Sequence, residues 1–561
     1  MLATALIVRA LPDRVLRAGR ALCALLTALS LAALLWAAAS VFSGGHVDQV
    51  LGEPVPGVAL ALRADGPALV VACLASVAAL VALVNPRLPR SDLCGLMVCL
   101  LGALICALAA GLTGLFAGLE VGNLGALLLM GGGSHRMSRR ALAAFAVQHV
   151  ASLGVLVVAV DLQVSRGSTD LGALAVVPLG AGQLLPWLLA GSVRVLAPAA
   201  GGDPVYRRTH FVWMGVAAVP SGLVVLLRLA QATDGHLMAP LPLVVGLCAS
   251  TVALYGSLVA LRCHREAAAA GRGLCIATSG MTVAAFSVTG DAGHEALAAL
   301  AVALVLSLIS APAWNSRHIT ERGRWLAAMG LLAAGGLPLG FGTTAVLLGL
   351  DAVTFRGLPG ALLLLLLGPS AALAGVAAGL AARHRLTALI PNPDDEPPPP
   401  VRWEGGVGLA LSCAGALLPG LAVSWVVGPL AGADVAATDA GAVRGPGGGW
   451  SGGYVAAAVI LALAMVGSAL VLIGALPRAA RHLHSPVGGH PRPSGATSRR
   501  RTATPRTADG SSPGHLRGWD APLVWLGAAR RHVIIVDRWL VGQPQLLWVL
   551  AGIAVSAFML R

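Results

Sequence analysis

Apolar segments of about 20 residues recur along almost the whole chain, and each is long enough to cross the hydrocarbon core of a bilayer as a helix. Only 11% of the 561 residues are charged, against about 25% in soluble proteins, so a soluble enzyme, a disordered chain and a disulfide scaffold are excluded. The sequence therefore predicts an all-α polytopic membrane protein. The apolar segments predict about 15 transmembrane helices, at residues 21–43, 66–84, 92–110, 111–131, 141–160, 171–193, 210–230, 239–261, 273–290, 294–313, 325–350, 359–382, 405–427, 453–475 and 539–560.

The basic residues indicate the orientation of these helices. All 38 are arginines, and the chain contains no lysine. When the connections are numbered alternately from a cytoplasmic N-terminus, 32 arginines, with Arg194, Arg207 and Arg208 among them, fall in cytoplasmic connections and 6 fall outside. Because one missed span would spoil this separation, the positive-inside rule favours a multi-pass protein of the cell membrane with a cytoplasmic N-terminus.

Composition also divides the chain into segments. The linker at 485–518 is either a solvated tether or a basic segment attracted to anionic lipid, because it is rich in Pro, Gly, Ser, Thr and Arg. The apolar and basic stretch at 521–542 is suited to the membrane interface. The predicted segments are an N-terminal span with an outside loop (1–64), a core bundle (65–430), an additional span (431–475), a basic cytoplasmic linker (476–538) and a C-terminal span (539–561).

Ionisable residues inside predicted spans are the first candidates for function, because burying them in a membrane is costly. Glu120 lies in the middle of the span at 111–131, and His149 lies within the next span. His294 lies beside Asp291 and Glu295 near an outer boundary, where water is close. The alternative for Glu120 is a neutral, hydrogen-bonded glutamic acid, and for His149 it is a histidine that serves only packing.

Helix breakers inside spans are the second signal. Pro186 interrupts 171–193, Pro220 lies inside 210–230, and Pro338 lies in GGLPLGFG within 325–350. Broken membrane helices leave backbone groups that protein or water must satisfy, so they often line polar cavities. Proline kinks also occur for packing alone.

Several of these segments resemble one family in the order in which they occur. GLFAGLEVGNLGALLLMG, GAGQLLPWLLAG, GVAAVPSGLVVLLRLA and LAAMGLLAAGGLPLGFGTTAVLLGL resemble helices of the antiporter-like membrane subunits of respiratory complex I, Mrp antiporters and related hydrogenases. The resemblance extends from about residue 65 to 430. It implies an inverted-repeat bundle with two broken helices.

The resemblance also implies proton transport along a polar axis of one glutamate and several lysines. Glu120 matches the glutamate, but every lysine is absent. The expected positions fall near Ala181 to Gln183, at Pro220, near His294, and at Thr343 or Thr344. Arginine cannot replace a lysine as a proton relay because it does not deprotonate at usable pH. Glu120, His149, Gln183 and His294 therefore remain as candidates for a proton path.

The resemblance leaves several functions open. The first is proton translocation in a complex I-like or Mrp-like assembly, coupled to redox chemistry or ion exchange. The others are a non-conducting scaffold subunit of the same fold, a partner of an inorganic-carbon uptake protein, and an independent secondary transporter of a small solute. The expected partners are other membrane subunits and the lipid bilayer, without nucleic acid, cofactor or metal, and any enzymatic activity would belong to a larger NADH-quinone oxidoreductase-type complex.

Overall fold

The computed structural model describes part of the chain. The described residues are 1–2, 4–5, 16–42, 47–55, 58–83, 90–131, 139–171, 179–199, 208–233, 241–287, 291–314, 321–335, 345–346, 349–350, 353 and 357–387. The spans predicted at 405–427, 453–475 and 539–560 and the linker at 476–538 lie outside these residues.

Helices dominate the described part of the chain. Eight helical segments, one of which (Phe211–Ala232) includes a π turn, are long and apolar enough to cross a membrane, and this confirms the polytopic membrane class. The helices are α1 (Leu16–Phe42), α2 (Gly66–Leu83), α3 (Arg90–Leu108), α4 (Leu112–Gly131), α5 (Arg139–Arg166), α6 (Ala181–Val195), α7 (Arg208–Trp213), α8 (Val219–Ala232), α9 (Leu241–Arg262), α10 (Ala267–Phe286), α11 (Asp291–Trp314), α12 (Glu321–Ala334) and α13 (Gly357–Thr387).

A β-hairpin lies in the segment predicted as an outside loop. Strands β1 (Val47–Val55) and β2 (Val58–Ala64) pair antiparallel, with Asp48 opposite Arg63. The Arg63 Nε donates to Asp48 Oδ1 at 3.0 Å, and this hydrogen bond raises the pKa of the Arg63 guanidinium. Neither VDQVLGEPV nor VALALRA alternates apolar and polar residues regularly, so the strands lack the usual sequence pattern of a half-buried hairpin.

The hairpin holds one end of the helix bundle together. The Ala110 N–H, between α3 and α4, donates to the Ala61 carbonyl in β2 at 3.0 Å. The Leu171 N–H, just after α5, donates to the Ala110 carbonyl at 3.0 Å. α5 itself ends at Arg166, and the next residue, Gly167, has a φ of +71°, a left-handed conformation that glycine adopts without strain. The ends of α3, α4 and α5 are thereby fixed at the same level.

Glycines allow α3 and α4 to pack closely. A Cβ atom at Gly118 would lie 2.5 Å from the Cys106 backbone nitrogen, and one at Gly125 would lie 2.5 Å from the Cys99 nitrogen. The two glycines are seven residues apart, so they lie on the same face of α4. Small residues at such a face let membrane helices approach at the backbone. This contact fixes the rotation of α4 and therefore the direction of the Glu120 side chain.

Two of the three prolines predicted as helix breakers lie in the described residues, and they behave differently. Pro186 lies inside α6, where it removes the backbone donor for the carbonyl four residues earlier. Pro220 follows a π turn at Met214–Ala218, and the nearby Ser221 hydroxyl donates to the carbonyls of Ala217 and Ala218. The irregular backbone at Pro220 is therefore accommodated inside a buried segment. Pro338, Thr343 and Thr344 lie outside the described residues.

We expect Gly125→Val to lower the free energy of unfolding by about 1–3 kcal/mol, the usual cost of overpacking, because the new side chain meets the α3 backbone. Thermal unfolding of the purified protein in detergent measures the loss. Gly182→Ala in α6 is the control, because nothing lies within 4 Å of a Cβ at that position. Equal stability of the two variants would contradict the importance of the close approach of α3 and α4.

Candidate functional site

Glu120 lies in the middle of α4 and contacts α5. The His149 Nδ1 is 2.8 Å from Glu120 Oε2, so the two candidates that the sequence predicted in neighbouring spans form a hydrogen-bonded pair. The Ser152 hydroxyl donates to Glu120 Oε1, and the Asn123 amide donates to the same oxygen at 3.0 Å. The carboxylate is thus surrounded by donors on both of its oxygens.

The Glu120–His149 pair reaches the surface of the described part of the chain. The His149 side chain is 42% exposed and that of Glu120 is 27% exposed. The His149 ring stacks on Phe145 with a centroid distance of 6.0 Å and an interplanar angle of 3°. Since Nδ1 contacts Glu120, the ring keeps Nε2 as its second site for a proton. A carboxylate and an imidazole in contact can exchange a proton directly.

Arg194 completes the site from α6. Its Nη2 donates to Asn123 Oδ1 at 2.9 Å and lies 3.5 Å from the Leu119 carbonyl oxygen. The side chain is 1% exposed. Arg194 was predicted to lie in a cytoplasmic connection, and this is wrong because α6 extends through Val195 and buries the side chain.

Gln183 lies elsewhere. Its Nε2 donates to Asp161 Oδ2 of α5 at 2.5 Å, while its Oε1 accepts from the Gly180 N–H at 3.1 Å. Gln183 and Arg194 are eleven residues apart on α6, which corresponds to roughly 16 Å along a helix. Among the described residues, Glu120 and Gln183 therefore mark two separate polar positions, one at each end of α6.

The two polar positions are separated by a tight contact between α5 and α6. The Gln148 amide donates to the Val193 carbonyl at 3.1 Å, near the Glu120 end. Between that contact and the pair of Asp161 and Gln183, a Cβ at Gly154 would lie 3.1 Å from the Pro186 carbonyl oxygen. The two helices run antiparallel, as these three pairs of residues require. Any proton path that joins the two positions needs water along this interface.

His294 belongs to α11, and its side chain is not among those described. Among the described residues no group of histidines, cysteines and acidic residues is arranged to hold a metal ion. The sequence analysis missed Asn123, Ser152 and Arg194. Asn123 follows Glu120 by three residues and Ser152 follows His149 by three, so each shares a helix face with a residue that was identified. That spacing could have found the first two, whereas nothing in the sequence connects Arg194 to Glu120.

An ion pair with a buried arginine and a partly exposed carboxylate lies apart from this site. The Arg228 guanidinium of α8 contacts both carboxylate oxygens of Asp65, at 2.5 and 3.2 Å, and Nη1 also donates to Gln231 Oε1 at 2.9 Å. The Arg228 side chain is 4% exposed. Because Asp65 lies between the hairpin and α2, the pair ties the end of the hairpin to α8.

Solved structures show the same arrangement of helices. A chain of the Mrp complex from Dietzia sp. DQ12-45-1b matches with a TM-score of 0.61 and 18% identity, over 100% of this chain and 62% of that chain. A chain of the archaeal membrane-bound sulfane sulfur reductase matches with a TM-score of 0.63 and 14% identity, over 100% of this chain and 98% of that chain. The chain has the fold of the antiporter-like membrane subunits.

A chain of respiratory complex I from Thermus thermophilus also matches, with a TM-score of 0.61 and 19% identity, over 78% of this chain and 97% of that chain. This chain covers 62% of the Mrp chain named above, which is less than two thirds of its length. No sequence-family profile matches the chain, and no curated protein matches it in sequence. At these identities the likeness establishes the fold, and the fold expected from the helix motifs is confirmed.

We expect Asp65→Asn to lower the free energy of unfolding by about 3–5 kcal/mol, because it leaves a buried arginine without its countercharge. Asp48→Asn is the control. It breaks the more exposed pair with Arg63, and such a pair contributes about 0.2–1 kcal/mol. Thermal unfolding in detergent compares the two variants. A smaller loss for Asp65→Asn than for Asp48→Asn would contradict the structural role of the buried pair.

Proposed function

We propose that this chain is a membrane subunit of a complex I-like or Mrp-like assembly and that it carries protons through the site at Glu120. The observation on which this proposal rests is the contact of 2.8 Å between the Glu120 carboxylate and the His149 imidazole in the middle of two apolar helices. The fold of the antiporter-like subunits supports the general kind of protein. Proton transport is the function that the sequence resemblance implies.

The proton steps follow from the geometry of the pair. With Glu120 ionised, the His149 Nδ1 carries the hydrogen that bonds to Oε2. A proton that arrives at Nε2 gives an imidazolium, and the Nδ1 proton then passes to Oε2 of Glu120. The carboxylic acid releases that proton to water, and a change of the imidazole tautomer restores the starting state. Each cycle takes up one proton and releases one, without a lysine.

Asp161 and Gln183 are proposed as the second polar position on this path. Pro186 leaves the carbonyl of Gly182 without its helical donor, and this carbonyl lies next to Gln183. Together with the Asp161 carboxylate, it offers acceptors for water at the start of α6. We assign Pro220 no role in this path, because the nearby backbone carbonyls of Ala217 and Ala218 already accept from the Ser221 hydroxyl. His294 stays a candidate by its place in the sequence.

The central test measures proton flux. We expect Glu120→Gln to abolish proton flux in vesicles that contain the protein with its native partners, because glutamine keeps the shape of glutamic acid but cannot bind the transferred proton. Asp170→Asn is the control, since this carboxylate lies on an exposed turn and is 52% exposed. Unchanged flux in Glu120→Gln would remove Glu120 from the mechanism. The absence of flux in the parent protein would favour the non-conducting scaffold.

A second part of the proposal concerns the partner. The exposed apolar residues of α5 follow one another at alternating intervals of three and four residues, the pattern of a helix that packs against another helix. In the part of α5 that follows His149 they are Val150, Leu153, Val157, Val160 and Val164, and Leu142 lies apart from this row near the start of the helix. His149 lies beside this row, and lipid cannot solvate the exposed Glu120–His149 pair. We therefore propose that a membrane helix of another subunit covers α5 and supplies a polar group at the level of His149.

We expect a cysteine at Val157, which is 61% exposed, to form a cross-link with a co-purified subunit in native membranes when a short thiol-reactive linker is added. A cysteine at Leu365 on α13, which is 70% exposed, is the control for a surface outside this row. Mass spectrometry identifies the linked peptide. A cross-link from residue 157 to the segment at 388–561 of the same chain, or none at all, would contradict a partner at this face.

A further inference from the structure

Arg194 is an unusual buried cation. It is 1% exposed, and its two acceptors are an amide oxygen and a backbone carbonyl. Among the described residues no carboxylate oxygen lies within 4 Å of the Arg194 guanidinium, the limit for an ion pair. The Nε atom of Arg194 has no hydrogen-bond partner. A charged side chain inside a membrane protein normally pairs with an opposite charge. Its hydrogen bond to Asn123 leads on to one carboxylate, that of Glu120, to which the Asn123 amide donates.

Asn123 joins the two charges in one orientation. A guanidinium only donates hydrogen bonds, so the atom that faces Arg194 at 2.9 Å must be the amide oxygen of Asn123. The amide nitrogen then faces the other way, towards Glu120 Oε1 at 3.0 Å and the Ser152 hydroxyl oxygen at 3.2 Å. Arg194 therefore fixes Asn123 as a donor to the carboxylate. Hydrogen bonds that polarise one another in this way are stronger in a medium of low dielectric.

The titratable groups around the site come from four helices. Glu120 lies on α4, His149 on α5 and Arg194 on α6, and the Cys106 thiol of α3 donates to the Leu115 carbonyl of α4 at 3.5 Å. Arginine keeps its proton under all usable conditions. With Glu120 ionised and His149 neutral, the charges of Arg194 and Glu120 cancel, and one added proton gives the site a single positive charge. Since the chain has no lysine, no amine of its own takes part in this balance.

We propose that Arg194 is the fixed countercharge of the Glu120 site, and that it acts through Asn123 to hold Glu120 as a carboxylate until His149 delivers a proton. Arg194 is a positioning residue, because it touches neither His149 nor the transferred proton. The proposal deepens the function suggested above and rests on it. It also assigns a role to an arginine where the resemblance led us to expect titratable lysines.

The experiment measures the protonation of Glu120 by infrared spectroscopy on the full-length protein in lipid nanodiscs at neutral pH. A protonated carboxylic acid gives a carbonyl band that a carboxylate lacks. The band of Glu120 is identified in each variant as the one that disappears when Glu120→Gln is introduced into that same variant. We expect Arg194→Gln to raise the protonated fraction of Glu120 about tenfold, the change that corresponds to one pH unit. Arg194→Lys should keep the spectrum of the parent, because it restores a cation.

Two further variants make the result decisive. Asn123→Leu keeps the charge of Arg194 but removes the amide that joins it to Glu120, so it should also raise the protonated fraction of Glu120. This variant tests the role of Arg194 if Arg194→Gln does not fold. Arg228→Gln removes a buried arginine at the Asp65 pair and should leave the Glu120 band unchanged. Folded Arg194→Gln or Asn123→Leu with the spectrum of the parent would overturn the proposal. Because the spectrum reports the charge of Glu120 whether or not protons cross the membrane, its outcome is separate from that of the flux experiment.

Discussion

A charge that enters a membrane protein has to find its partner inside the protein, because lipid offers none. This constraint explains the polar contacts described here. Arg228 contacts Asp65 directly, so its charge is neutralised where the hairpin meets the bundle. Arg194 reaches Glu120 only through the amide of Asn123, and His149 approaches the same carboxylate from the other side. The first arrangement is closed and serves stability, whereas the second contains a group that can gain and lose a proton.

The geometry of the second arrangement depends on backbone contacts that carry no charge at all. Gly118 and Gly125 let α4 approach α3, and Gly154 lets α5 approach Pro186 in α6. The hairpin then fixes the ends of α3, α4 and α5 at one level through Ala110. Because these contacts fix the rotation and the height of the helices, they bring the side chains of Glu120, His149 and Arg194 to one site. The site is therefore a consequence of close packing between small residues.

The absence of lysine changes the chemistry that such a fold can perform. A lysine on a polar axis can release its proton when it is desolvated, but an arginine cannot. In this chain the proposed proton carriers are a carboxylate and an imidazole, and the cation beside them keeps its charge. The resemblance to antiporter-like subunits therefore supports the fold and the general kind of protein, while the mechanism has to be derived from the residues that this chain contains.

The sequence by itself determined the membrane class, the order of the helices, the resemblance of the motifs to antiporter-like subunits, and the location of Glu120 and His149 in neighbouring apolar helices, because hydrophobic length and a lone charge in an apolar run are local properties. It did not reveal the hairpin, whose short strands give a weak pattern. It grouped Gln183 with Glu120, although the structure pairs Gln183 with Asp161. It assigned Arg194 to a loop. Only the tertiary structure decided these points, because the partner of a buried charge is set by how helices far apart in sequence pack together, and a single sequence does not contain those distances.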